Sequence, residues 1–124
     1  MARSYEQICP IARTLDLVGE RWTLLIVREL FFGADKFTGL QENLPGIPAR
    51  VLSDRLKKLE EHGLVARQVY SEHPLRASYH LTELGQSLKP VLGVMAAWGM
   101  DHTLDAKERR IVIKHVPAHF LPFA

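Results

Sequence analysis

Apolar positions recur along the chain in runs whose period changes, and each change marks an element. Ile8, Ile11, Leu15 and Val18 fall three and four apart, a helical stripe that Gly19 closes in the C′ position just past a helix end. Trp22, Leu25, Ile26 and Leu30 start a second stripe, but Leu24, Val27 and Phe31 fill its other side. A helix apolar nearly all round is a central one. Gly33-Ala34-Asp35 breaks it. Thr38 and Gln41 have the spacing of a capping box and open a short helix carrying Leu40 and Leu44. After the Pro45-Gly46 turn, Pro48 suits the first position of a helix running to Glu61, with Leu52, Leu56 and Leu59 on one face. Beyond Gly63 the period shortens. Leu64–Tyr70 and Ala77–Leu81 are predicted strands, the first alternating imperfectly, around a charged tip of His73, Pro74, Leu75 and Arg76.

Thr82 is a good N-cap for a last long helix, whose stripe is Leu84, Leu88, Val91, Leu92, Met95 and Trp98. Pro90 falls inside it and predicts a bend. Past Gly99 the signal weakens: Arg110–Val116 suggests a short strand, and Pro117–Ala124 has no clear period. There is no internal repeat, low-complexity segment or linker.

Helix, turn, helix, strand, tip, strand, helix is the order of a winged helix-turn-helix. The expected fold class is α+β, mainly α, in one domain over residues 1–124. Its helix-turn-helix covers about 38–62 and its wing about 64–81. Dimerisation helices are expected at about 10–18 and 82–99, with a tail over 103–124. The net charge of +2 is too small to argue for nucleic acid alone. One cysteine excludes an internal disulfide and fits a reducing compartment, and neither a membrane-length apolar run nor a secretion-type start is seen. A cytoplasmic location without membrane contact is expected.

The second helix of a helix-turn-helix reads the major groove with its amino-terminal half. That half offers Ala49, Arg50, Ser53, Asp54 and Lys57, with Lys58 flanking. Arginine pairs with a guanine edge, serine reaches base or phosphate, and lysine neutralises phosphate. Arg76 at the hairpin tip can reach a phosphate or the minor groove. Thr38 completes the candidate DNA-binding set.

The sequence resembles the HxlR-type winged helix-turn-helix transcriptional regulators, relatives of the MarR group. The resemblance rests on Cys9-Pro10-Ile11-Ala12, Gly19-Glu20-Arg21-Trp22-Thr23-Leu24-Leu25-Ile26, Phe37-Thr38 and Leu44-Pro45-Gly46-Ile47. It continues through Arg50-Val51-Leu52-Ser53-Asp54-Arg55-Leu56, Leu59-Glu60, Gly63-Leu64-Val65, Tyr79-His80-Leu81-Thr82, Leu84-Gly85 and Trp98-Gly99. It implies a homodimer on a near-palindromic double-stranded operator that represses or activates a neighbouring gene. It also assigns dimer contact to the first and last helices, here Ile11, Leu15, Leu88, Val91, Leu92, Met95 and Trp98. Several such regulators sense oxidants or electrophiles through a cysteine in the Cys9 position. A helix start and Arg13 one turn on favour the thiolate here. Two departures stand out: the tail after His102, and a recognition helix that opens Ile-Pro-Ala-Arg where relatives often place serine.

Other classes fare worse. Ser53, Asp54 and His62 would need the strand-to-helix elbow that exposes a nucleophile, and no glycine-rich phosphate loop is present, so no enzyme is expected. His115 and His119 are four apart, but Pro117 between them spoils a helical metal pair, so no metal or cofactor is expected. A regulator answering a non-covalent small molecule, or a protein-interaction winged helix, are the alternatives.

Overall fold

The computed structural model describes residues 4–116. They form two compact units, one ending at Gln86 and the other beginning at Ser87.

The first unit holds α1 (Pro10–Val18), α2 (Thr23–Phe31), α3 (Phe37–Asn43), α4 (Ala49–Glu61), β1 (Val65–Glu72), β2 (Leu75–Leu81) and α5 (Glu83–Gln86). Pro10 opens α1 because its fixed φ and missing N–H suit a first turn, and Cys9 is the N-cap. Ile8 therefore lies before the helix, not on it. Gly19 is the C-cap of α1 in right-handed conformation, with its N–H on the Leu15 carbonyl at 2.8 Å. The left-handed residue of this connection is Trp22, at φ 80°, with the Arg21 guanidinium 5.4 Å from its ring centroid.

Ile26 and Val27 of α2, Leu40 of α3 and its C-cap Leu44, and Leu52, Leu56 and Leu59 of α4 are the fully buried large side chains. Burying each contributes about 1.5–3 kcal/mol, more than any single cap or surface ion pair supplies, so this core fixes how α4 is presented. α4 ends in a Schellman motif: the Leu64 and Gly63 N–H groups donate to the Leu59 and Glu60 carbonyls, with Gly63 at φ 76°. Two helix starts differ from expectation. Lys36, not Thr38, caps α3, so Thr38 sits within the first turn and no capping box forms. Pro48 is the N-cap of α4, one residue before the helix.

The strands reach further than their alternation predicts. β1 and β2 pair antiparallel from Val65↔Leu81 to Glu72↔Leu75, leaving His73-Pro74, joined by a cis peptide, as the turn. Arg76 thus belongs to β2, opposite Ser71. A register shift between Val69 and Ser71 leaves Tyr70 as the extra residue of a β-bulge, which explains the imperfect alternation. The segment before α3 joins the wing: the Tyr79 N–H donates to the Asp35 carbonyl at 2.8 Å, and Lys36 bridges Ser78. Thr82 caps α5, accepting from the Gly85 N–H at 3.1 Å.

The second unit holds α6 (Lys89–His102) and α7 (Ala106–His115). The expected bend at Pro90 is a break between α5 and α6. A proline ring clashes with the carbonyl four residues back, here that of Gln86, so one helix ends at Gln86 and the next carries Pro90 in its first turn. The expected strand over Arg110–Val116 is instead the second half of α7. Its cause is the capping box of Asp105 and Glu108, whose two bonds span 2.8 and 3.0 Å. Arg109 closes the turn by donating to the carbonyls of Met100 at 2.8 Å and Asp101 at 3.3 Å. The aperiodic segment from Pro117 lies outside the described residues.

Candidate nucleic-acid interface

The core side of α4 is Leu52, Leu56 and Leu59, so helical geometry turns Arg50, Ser53 and Lys57 outward together, and all three are exposed. Ala49 is exposed at the first helical position. Among the described residues Arg50 and Lys57 have no ion-pair partner.

Asp54 and Lys58, from the same candidate set, are engaged inside the protein. The Lys58 Nζ donates to the Glu20 carboxylate at 3.0 and 3.4 Å and lies 3.5 Å from Asp54. The Arg55 Nη1 donates to Asp54 at 2.6 Å, while its Nε donates to the Arg21 carbonyl at 2.9 Å. Burial pushes the Asp54 carboxyl up, but the Lys58 charge and the bonds from Arg55 and Lys58 outweigh it and hold the group below its ordinary range. The Lys58 ammonium is held above its ordinary range, first by its bond to Glu20, against a desolvation that lowers it. A phosphate would have to displace two carboxylates to claim Lys58. The sequence missed this network because Glu20 and Lys58 are 38 residues apart.

The wing stands beside α3 in the same unit. Arg76 is exposed on β2, and the Ser71 hydroxyl fastens the turn by donating to the Pro74 carbonyl at 2.8 Å. Thr38 is exposed in the first turn of α3. Two further exposed residues sit on this face without having been singled out, Lys36 and Tyr70, with the Lys36 Nζ 5.1 Å from the Tyr70 ring centroid. The broken alternation of β1 was the available signal for Tyr70.

The residues assigned to dimer contact are on α1 and α6. Ile11 is 72% exposed and Leu15 43% on α1, while Met95 is 52% and Trp98 63% exposed on α6. Val91 is exposed, and Leu88 and Leu92 are half-buried. Val94, 70% exposed, extends the apolar surface of α6. The Trp98 ring meets His102 in a tilted contact with centroids 4.8 Å apart. Cys9 is half-buried, without a side-chain cap bond, and its carbonyl accepts from the Arg13 N–H at 2.9 Å. The Arg13 Nε donates to the Gln7 carbonyl at 2.9 Å. Among the described residues no three His, Cys, Asp or Glu side chains gather as a metal set, and no helix is long and apolar enough to cross a membrane. His119 lies outside the described residues.

A buried-faced helix presenting Arg50, Ser53 and Lys57, followed by a two-stranded hairpin, defines a winged helix-turn-helix. The chain belongs to the HxlR-like helix-turn-helix family, whose pattern matches residues 17–107. An uncharacterised HTH-type transcriptional regulator of Mycobacterium tuberculosis is 46% identical over 105 residues, which cover 85% of this chain and 66% of that protein. The chain thus spans just under two thirds of the mycobacterial relative. The reduced form of the transcriptional regulator YodB from Bacillus subtilis superposes with a TM-score of 0.65 at 37% identity, covering 78% of this chain and 96% of YodB. The oxidised form of the redox regulator HypR gives 0.71 at 33% identity, covering 78% of this chain and all 100% of HypR. The family and these relatives are transcriptional regulators, not enzymes, in agreement with the expectation from sequence.

Proposed function

We propose that the protein binds double-stranded operator DNA as a homodimer and regulates a neighbouring gene. Arg50 and Ser53 read base edges, while Lys57, Thr38 and Arg76 hold the backbone. One observation carries this: the outward face of α4 offers its Arg50 and Lys57 cations without ion-pair partners among the described residues, beside a wing that carries Arg76. The exposed apolar residues of α1 and α6 support the dimer, since such surface on a small protein marks an interaction site. Selecting bound fragments from random duplex DNA is expected to yield a near-palindrome with half-sites one turn, roughly 34 Å, apart. Affinity should fall steeply with salt. A protein-interaction module would select nothing, and a monomeric one-to-one complex would overturn the dimer.

A second reading concerns the signal. Cys9 is favoured as the point where an oxidant or electrophile acts, because it is half-buried at the start of α1, a helix with exposed apolar residues. HypR is a redox regulator, and YodB has a diamide-treated form with a TM-score of 0.62 to this chain. Peroxide or a quinone is expected to release the selected DNA, dithiothreitol to restore binding after disulfide formation, and Cys9→Ser to ignore the oxidant. Retained binding by protein shown by mass to be modified at Cys9 would leave a non-covalent effector as the better account.

A further inference from the structure

We propose that the open groove between the start of α3 and the wing seats one sugar–phosphate strand of the duplex, held by Lys36 and Tyr70. The inference deepens the DNA-binding reading and rests on it. The groove has a volume of about 540 Å³ and is lined by Lys36, Phe37, Thr38, Tyr70, Leu75 and Arg76. Cations approach it from two separate elements, Lys36 before α3 and Arg76 on β2, while Phe37 and Leu75 supply apolar surface. Alternating anionic phosphate and apolar deoxyribose is the chemistry that such a lining complements. Position argues the same way. With α4 in the major groove and the wing in the adjoining minor groove, one backbone strand runs between them, and the first helix of the pair crosses it.

Lys36 is built into this place. Its backbone bridges Ser78 of β2, and its Nζ lies 5.1 Å from the Tyr70 ring centroid. Tyr70 faces it from a β-bulge, a device that re-aims a side chain. The ring face steadies the ammonium, and the tyrosine hydroxyl is a donor for a phosphate oxygen. The Asp35 carboxylate lies 3.3 Å from Lys36, but both side chains are over two-fifths exposed, and a pair so wet yields readily to a phosphate.

The test is fluorescence anisotropy on a labelled duplex of arbitrary sequence, longer than two helical turns, across a salt series. Lys36→Met is expected to weaken binding at every sequence alike and to reduce the salt slope by about one per subunit, whereas Lys36→Arg keeps the slope. Tyr70→Leu should weaken binding about two- to fivefold with an unchanged melting temperature. Should Lys36→Met prove unstable, Lys36→Gln carries the same expectation with an uncharged polar chain of similar length. A wild-type slope in Lys36→Met or Lys36→Gln, alongside a reduced slope in Lys57→Met, would remove the groove from the interface while leaving the DNA-binding reading intact. A wild-type protein that ignores duplex DNA at all salt concentrations would overturn both.

Discussion

Arg50 and Lys58 lie on one helix, and their surroundings give them different work. Arg50 is exposed, so Arg50→Ala is expected to cost about 1–3 kcal/mol of operator affinity and to relax preference at one position in each half-site. Repeating the duplex selection with the variant checks it, and an unchanged consensus would return Arg50 to the backbone contacts. Lys58 spends its charge on Glu20 and Asp54, so Lys58→Ala should lower affinity less than Lys57→Ala does. The same network makes stability pH-dependent at both extremes. Asp54 is held low, so its contribution is full above the ordinary carboxylate value of 3.8 and is lost as pH falls through its folded value. Lys58 is held high, so its contribution is full below 10.5 and is lost as pH rises through its folded value. Both effects are small, because the groups are partly exposed and screened by salt. Urea midpoints of wild type and Asp54→Asn should draw together as pH falls from 3.8 toward the lower folded value of Asp54. Helical period alone told which residues of α4 face outward. It could not tell which of them another element, 38 residues away, had already taken.

Elements were legible wherever one local rule ruled alone. The leucines of α4, the Gly63 stop and the Thr82 cap were plain in sequence because each depends on residues a few positions apart. The wing was legible in kind but not in extent, since pairing carried both strands to a two-residue turn against weak propensity at Ser71 and Glu72. The tail was missed: Ile111, Val112 and Ile113 suggested a strand, yet Asp105-x-x-Glu108 was a helix-start signature. Asp105→Ala should therefore remove about 1 kcal/mol from α7, seen as a loss of helical circular dichroism in the first part of a melt. Gly85→Ala belongs at this scale too. A Cβ there would overlap the Leu64 carbonyl oxygen, so α5 must shift off the start of β1. The melting temperature is expected to fall by several degrees, as it does for a loss of 1–2 kcal/mol in a domain of this size; an unchanged value would mean that α5 is free to move.

At the scale of the whole molecule, the two units leave different apolar surfaces in water. Ile8 and Ile11 are 96% and 72% exposed in the first unit, and Val94 and Trp98 are 70% and 63% exposed in the second. Trp98→Ala is expected to raise the monomer fraction in sedimentation at micromolar concentration and to weaken DNA binding without changing the preferred sequence. A dimer that persists while only the melting temperature falls would assign Trp98 to packing within the chain. The sequence showed a stripe on α6 but not which side of it would stay uncovered. That depends on how much of a helix the rest of the chain can cover, a property no local pattern contains.

The bulge at Tyr70 has a consequence for solubility. Among the described residues β2 pairs with β1 on one side and meets Lys36 on the other, so β1 is the outer strand of the wing. A straight outer strand carrying Val69 and Tyr70 would be a template for the same strand of another molecule. The extra residue bends that edge and twists it away, while Arg67 and Glu72 put charge along it. Deleting Tyr70 would straighten the hairpin while leaving Ser71 opposite Arg76 and Glu72 opposite Leu75, so the edge would lose its bend and keep its pairing. The protein would then be expected to aggregate through its wings as its concentration rises.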